Sequence, residues 1–270
     1  MTTLTTVSVP VAGGSLSVRR RRGSAPTLVF LHYWGGSGRT WDQVIELLGG
    51  QDAVVYDQRG WGTAASVTGP YSLEAMAADV DTIVAREGLE QVVLVGHSMG
   101  GKVAQIVAGR QPAYLSGLVL VAPAPPRPPV YVTPEYQQQL ARAYDTAESV
   151  RFSLNHVLAY APLGEDLREQ VLHDSLDSAP GARTTWPLHE IAADVSRSAR
   201  AITVPTLVLV GEHDQVEPPA VLEQLLLPAL SGAQLVILPG VGHLLPLEAP
   251  AGIAAQIRHF LPQIRRAGTG

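Results

Sequence analysis

The chain has 270 residues, enough for one sizeable core with an insertion but short for two large domains. Hydrophobic residues make up 46% and charged residues only 16%, which excludes a disordered chain or a long solvated coil, and a net charge of -5 leaves no basis for gripping a phosphate backbone. With 0 cysteines, thiol nucleophiles, disulfides, thiolate zinc and iron–sulfur ligation are excluded, and any chemistry must use oxygen or nitrogen.

The start, Met1-Thr-Thr-Leu-Thr-Thr6, lacks a basic segment followed by an apolar one, and no apolar run approaches the roughly 18 residues of a membrane span. A cytoplasmic protein without nucleic acid or membrane partners is expected. Thr6 to Val11 and Ser15 to Arg21, parted by Gly13-Gly14, predict a leading antiparallel hairpin. The basic run Arg19 to Arg22 reads as a solvated strand end. Runs rich in Val, Leu and Ile at Thr27 to His32, Ala53 to Tyr56, Gln91 to Val95, Leu118 to Ala122, Thr206 to Val210 and Gln234 to Leu238 predict buried strands. Helical patterns lie between most of them, at Thr40 to Leu48, Ser72 to Glu87, Met99 to Arg110, Pro219 to Leu230 and Ala251 to Ile264. That alternation implies a mainly parallel sheet covered on both faces.

The alternation breaks at Pro123-Ala-Pro-Pro-Arg-Pro-Pro129, which reads as a rigid connection rather than a ligand for a proline-binding module. No strand signal follows until about Arg200. Helical patterns at Pro134 to Tyr144, Ala147 to Ala159, Glu165 to Asp177 and Thr184 to Ser198 predict a helical lid. The expected division is a core of residues 1–128 and 201–270 with a lid of 129–200.

Gly96-His-Ser-Met-Gly-Gly101 falls between a buried strand and a helix. A sharp turn there needs small residues on either side of Ser98, and it holds the Ser98 hydroxyl above the sheet edge at a helix N-terminus that favours negative charge. A serine needs a base, and the base an orienting acid. Asp214 follows the strand Thr206 to Val210, and His243 follows the strand Gln234 to Leu238. Glu212 and Glu217 are rival acids; His213 beside Asp214 falls in no metal-binding string, so no metal is expected.

In these segments the chain resembles the α/β-hydrolase superfamily over nearly its whole length, and within it the lidded serine esterases and cofactor-free haloperoxidase-like hydrolases. Leu31-His-Tyr-Trp-Gly-Gly-Ser37 and Asp57-Gln-Arg-Gly-Trp-Gly62 carry the likeness as well, together with the chain order Ser98, Asp214, His243. The resemblance implies an α/β-hydrolase fold with a mostly parallel eight-stranded sheet, flanking helices and an inserted lid. It implies Ser98, Asp214 and His243 as the catalytic triad, with oxyanion donors at the backbone N–H groups of Met99 and Trp34. Tyr33 stands where the family usually has glycine, so Tyr33 N–H or its hydroxyl remains an alternative second donor. His32 and His97 match positions that brace loops, and Asp57 and Arg59 look like a loop-fixing pair. Tyr33, His32, Trp186 and His189 are candidates for substrate contact, the last two dividing evenly between pocket wall and lid core.

Serine at the elbow directs the expectation to acyl transfer on an ester or lactone of a small, largely apolar molecule, with no cofactor. Diketone hydrolysis, perhydrolysis and a binding protein with an idle triad are the alternatives. Oligomeric state is left open.

Overall fold

The apolar runs form eight strands of one sheet in a computed structural model that describes residues 4–267, so the first three residues of the Met1-to-Thr6 start lie outside it. The strands are β1 (Thr5–Val11), β2 (Gly14–Arg21), β3 (Ser24–Leu31), β4 (Gln51–Tyr56), β5 (Val92–His97), β6 (Leu115–Val121), β7 (Thr206–Gly211) and β8 (Gln234–Leu238). Their spatial order is β1-β2-β4-β3-β5-β6-β7-β8. β2 runs antiparallel to both β1 and β4, and every other neighbouring pair is parallel. Parallel pairs need crossovers, and helices supply them. They are α1 (Asp42–Leu47), α2 (Leu73–Glu87), α3 (Met99–Gly109), α4 (Pro134–Leu140), α5 (Ala147–Ser153), α6 (Glu165–Leu176), α7 (Pro180–Leu188), α8 (Ser196–Arg200), α9 (Pro219–Leu225), α10 (Leu245–Glu248) and α11 (Pro250–Ala267).

Successive side chains of a strand point to opposite faces, and the central strands are apolar on both. In β5, Val92 and Leu94 join one core with α2 and α3, while Val93 and Val95 join the other with Ile253, Ile257 and Phe260 of α11. Each fully buried Val or Leu contributes about 1.5–3 kcal/mol, so this two-sided burial is what fixes the sheet between its helices. Local signals set the helix ends: Ser72 caps α2 by accepting from Ala75 N at 3.3 Å, and Gly88 closes it at φ 61°.

Helices α4 to α8 lie between β6 and β7, where the chain lacks strand signals. Some predicted helices are interrupted. Thr184 to Ser198 is split into α7, a 3-10 turn at Glu190–Ala192 and α8, because Pro180 moves the start forward and Pro187 removes a donor near the end. Ala147 to Ala159 passes from α5 into a single π turn at Leu154–Leu158. Pro219 to Leu230 stops as an α-helix at Leu225, ahead of Pro228.

The basic run is only partly solvated, against the expectation: Arg22 is exposed and Arg19 half-buried, but the two between them are not. Arg20 and Arg21 are 7% and 6% exposed, on opposite faces of β2. Arg20 donates to Asp52 Oδ2 at 2.8 Å and to Glu87 Oε2 at 3.1 Å, and Arg21 donates to the carbonyl oxygens of Ile45 and Gln51. The paired guanidiniums are tolerated inside because every fork finds an acceptor. Asp57 and Arg59 each fix a loop, but not with each other. Asp57 accepts from Gly38 N at 2.7 Å and from Thr63 N and Oγ1, whereas Arg59 makes a two-pronged pair with Asp79 at 2.6 and 2.7 Å.

Candidate active site

β5 ends at His97 and α3 begins at Met99, so the whole reversal falls on Ser98, at φ 53° and ψ −116°. A non-glycine residue there is strained and is held only by its surroundings. Ser98 N donates to Val121 O at 3.0 Å, and Ala124 N donates to Ser98 O at 3.2 Å, so β6 grips the turn from the side. The neighbours must be glycine. A Cβ on Gly96 would sit 2.5 Å from Gly100 O, and one on Gly100 would sit 2.6 Å from His32 O. Met99 N–H stands in the first turn of α3, where helix geometry leaves donors without internal partners.

Asp214 lies in the turn after β7 and is 3% exposed. Its two oxygens have separate partners. Oδ1 accepts from Val216 N at 2.8 Å and Glu217 N at 2.9 Å, which aims Oδ2 at His243 Nδ1, 2.9 Å away. Asp214 thus sits where it can orient the imidazole, and Nε2 of His243 has no hydrogen-bond partner among the described residues. His243 follows β8 and is held from the inserted helices, since its N–H donates to Leu158 O at 2.8 Å.

Two residues that the sequence left without a site role support this loop. Glu248 Oε2 accepts from Gly242 N, Tyr160 N and Ala161 N at 2.8–3.0 Å, tying the histidine loop to the inserted segment. Its only sequence signal is a lone acid five residues after His243. His97, expected to brace a loop, has Nε2 at 2.8 Å from His243 O. Complete burial pushes its pKa well below the usual imidazole range, so it stays neutral and donates that proton.

Ser98 and His243 line one cavity of about 630 Å³ with Tyr33, Trp34 and Trp186. Its walls come mostly from the inserted helices, with Leu140, Tyr144, Phe152 and Leu158 among them. The loop after β3 is fastened to those helices. Trp34 stacks on Tyr144 with ring centroids 4.1 Å apart, and its Nε1 donates to Arg183 O at 3.0 Å. Tyr33 packs against His97 at 5.1 Å, and burial raises the pKa of its phenol.

Two candidates fall outside the cavity lining. His32 is fully buried with both ring nitrogens engaged: Nδ1 donates to Tyr33 O at 2.8 Å and Nε2 accepts from Gln58 N at 2.9 Å. No ring nitrogen is left for a ligand. His189 is exposed where α7 ends and is not part of the lining to which Trp186 belongs. Of the rival acids, Glu212 accepts from Gly240 N on the surface, while Glu217 lines the cavity without bonding His243. No group of metal-binding side chains occurs among the described residues.

Residues 28–256 match the model of the alpha/beta hydrolase family. The chain is 30% identical to a non-heme haloperoxidase of Rhodococcus erythropolis over 240 residues, covering 82% of this chain and 86% of that one. Among solved structures, a bromoperoxidase from Bacillus anthracis superposes with a TM-score of 0.86 at 18% identity, over 96% of this chain and 100% of that one. A thermophilic esterase from Thermogutta terrifontis does so at 0.78 and 26% identity, over 97% and 98%.

Proposed function

Since the chain belongs to the alpha/beta hydrolase family, we propose that this hydrolase is a serine esterase or lactonase acting on small, largely apolar carboxylic esters. The observation that carries the reading is the 2.9 Å contact of Asp214 with His243 Nδ1, beside a serine on a strained elbow in the same cavity. Ser98 Oγ attacks the ester carbonyl as His243 Nε2 takes its proton. Asp214 holds the imidazole in the needed tautomer and stabilises the imidazolium. The oxyanion is met by Met99 N–H, with Trp34 or Tyr33 N–H as the second donor, each worth about 3 kcal/mol in the transition state. His243 then protonates the departing alcohol, and water activated by the same nitrogen releases the acid. The segment of residues 129–200 acts as the lid that selects substrates, through an apolar wall with a few polar positions.

The test is covalent. A fluorophosphonate should add one mass to the peptide carrying Ser98, and Ser98→Ala should abolish both labelling and ester turnover. Labelling elsewhere, or turnover in Ser98→Ala within tenfold of wild type, sinks the reading.

The similarity to a haloperoxidase favours a second reading on the same machinery, in which hydrogen peroxide replaces water as the attacker of the acyl-enzyme and gives a peracid. Peracid formation from acetate ester and peroxide, absent in Ser98→Ala, tests it.

A further inference from the structure

Glu217 is the anomaly of the cavity. It lines the space, its side chain is almost wholly buried, and its carboxyl has no hydrogen-bond partner among the described residues, with Oε2 completely shielded. Unpaired buried carboxyls are costly, so a stable one calls for an explanation. Burial, and then the nearby charge of Asp214, push its pKa well above the usual carboxylate range, against the opposing pull of Lys102. A protonated carboxyl has one donor and spare acceptor capacity.

Its surroundings bring buried polar groups together behind the cavity wall. Lys102 Nζ lies over the Trp186 ring at 5.9 Å and donates to Ile191 O at 3.1 Å. Tyr131 and Tyr136 are the other titratable groups that sense Glu217, and Tyr136 lines the cavity too. Glu217 shares the cavity lining with Ser98 and His243, and its own amide donates to Asp214 Oδ1 at 2.9 Å, which ties the carboxyl to the turn that carries the acid facing His243.

We propose that Glu217 is the specificity-determining residue of this cavity, hydrogen-bonding an uncharged polar group, a ketone or hydroxyl, that the substrate carries a few bonds from the scissile carbonyl. The inference rests on the esterase reading of the site. A preferred substrate is then a short keto or hydroxy ester rather than a plain alkyl ester. A charged substituent is disfavoured, because at the buried Glu217 carboxyl it would lose hydration beside the charges of Asp214 and Lys102. A site with a buried polar group also rejects the analogue that leaves that group unpaired, so discrimination exceeds what shape alone provides.

The probes are two isosteric pairs in which a ketone oxygen replaces a methyl group. In the acyl part they are p-nitrophenyl 4-oxopentanoate and p-nitrophenyl 4-methylpentanoate; in the alcohol part they are 3-oxobutyl acetate and 3-methylbutyl acetate. The readout is the ratio of kcat/KM within each pair. Wild type should favour the ketone by about tenfold or more in one pair. Glu217→Met should bring that ratio to about one, and Glu217→Gln, which keeps a donor and an acceptor, should retain most of it. If Glu217→Met does not fold, Glu217→Ala takes its place. No ketone preference in wild type, an unchanged ratio in the apolar variant, or an equal loss on both esters of each pair overturns the proposal while ester turnover stands. Absence of all turnover and of Ser98 labelling in wild type would instead fell the esterase reading.

Discussion

His97 and His243 lie ring against ring, with centroids 5.1 Å apart, and the buried imidazole holds the backbone carbonyl of the other through Nε2. Because His97 is neutral, it places no second positive charge beside the imidazolium that the proposed mechanism forms on His243. His97→Leu deletes the donor to His243 O and loosens the loop. The expected result is a fall in kcat of about 10- to 100-fold with KM little changed, the size of effect that sub-ångström misplacement produces. Steady-state kinetics on the folded fraction decide it: a lower melting temperature with normal kcat would mean that His97 only packs.

Asp214→Asn should lower kcat by about 10⁴-fold while circular dichroism stays native, because the histidine keeps its place but loses the tautomer and charge partner it needs. Glu212→Gln should be nearly silent. If Asp214→Asn remains active and a glutamate variant does not, the acid has been misassigned.

Ser98 holds φ 53°, and only glycine relaxes there without strain. Ser98→Gly should therefore be more stable than Ser98→Ala by about 1 kcal/mol, or a melting temperature about 2–4 °C higher, although both are inactive. Equal melting temperatures would show that the turn is unstrained.

Arg59 and Asp79 are 2% and 3% exposed and bonded through both prongs. Arg59→Met leaves a buried carboxylate alone and should cost about 3–5 kcal/mol in urea unfolding. Replacing both, Arg59→Met with Asp79→Leu, should recover a large share of that loss. No recovery would place the cost in the other bonds of Arg59, to Pro70 O and Ala12 O.

The Glu217 carboxyl binds its proton more tightly folded than unfolded. Its contribution to stability is thus fully present below the ordinary value of 4.5 and declines as pH rises toward the raised folded value. Measured against Glu217→Gln, which cannot titrate, wild type should lose relative stability steadily as pH rises above 4.5. A pH-independent difference in unfolding midpoint would contradict the shift.

The strands were legible because each central one is apolar on both faces, and a run such as Val92 to Val95 has no other home. The elbow was legible because Gly96 and Gly100 flank the serine at the spacing that backbone contact demands. The fates of Arg20 and Arg21 were not, since their acceptors at Asp52, Glu87, Ile45 and Gln51 lie 24 to 67 residues away in the chain. His32 reads in the sequence both as a loop brace and as a candidate for substrate contact, and only the fold, where Gln58 N takes its second nitrogen, decides for the brace. Glu248 escaped notice because three amides converging on one carboxylate leave no local pattern.

The helices from α4 to α8 leave the end of β6 and return to the start of β7, two strands that pair directly with each other, Leu118 with Thr206 through Val121 with Leu209. The crossover can therefore lengthen, shorten or be rebuilt between two fixed posts without disturbing strand order, and divergence can proceed in that segment while the sheet stays unchanged. Its limits are the ties that reach back to the candidate site, Leu158 O to His243 N, Tyr160 and Ala161 N to Glu248, and Tyr144 and Arg183 to Trp34. Descendants of such a chain are free to reshape the cavity walls as long as those attachments are inherited or reinvented.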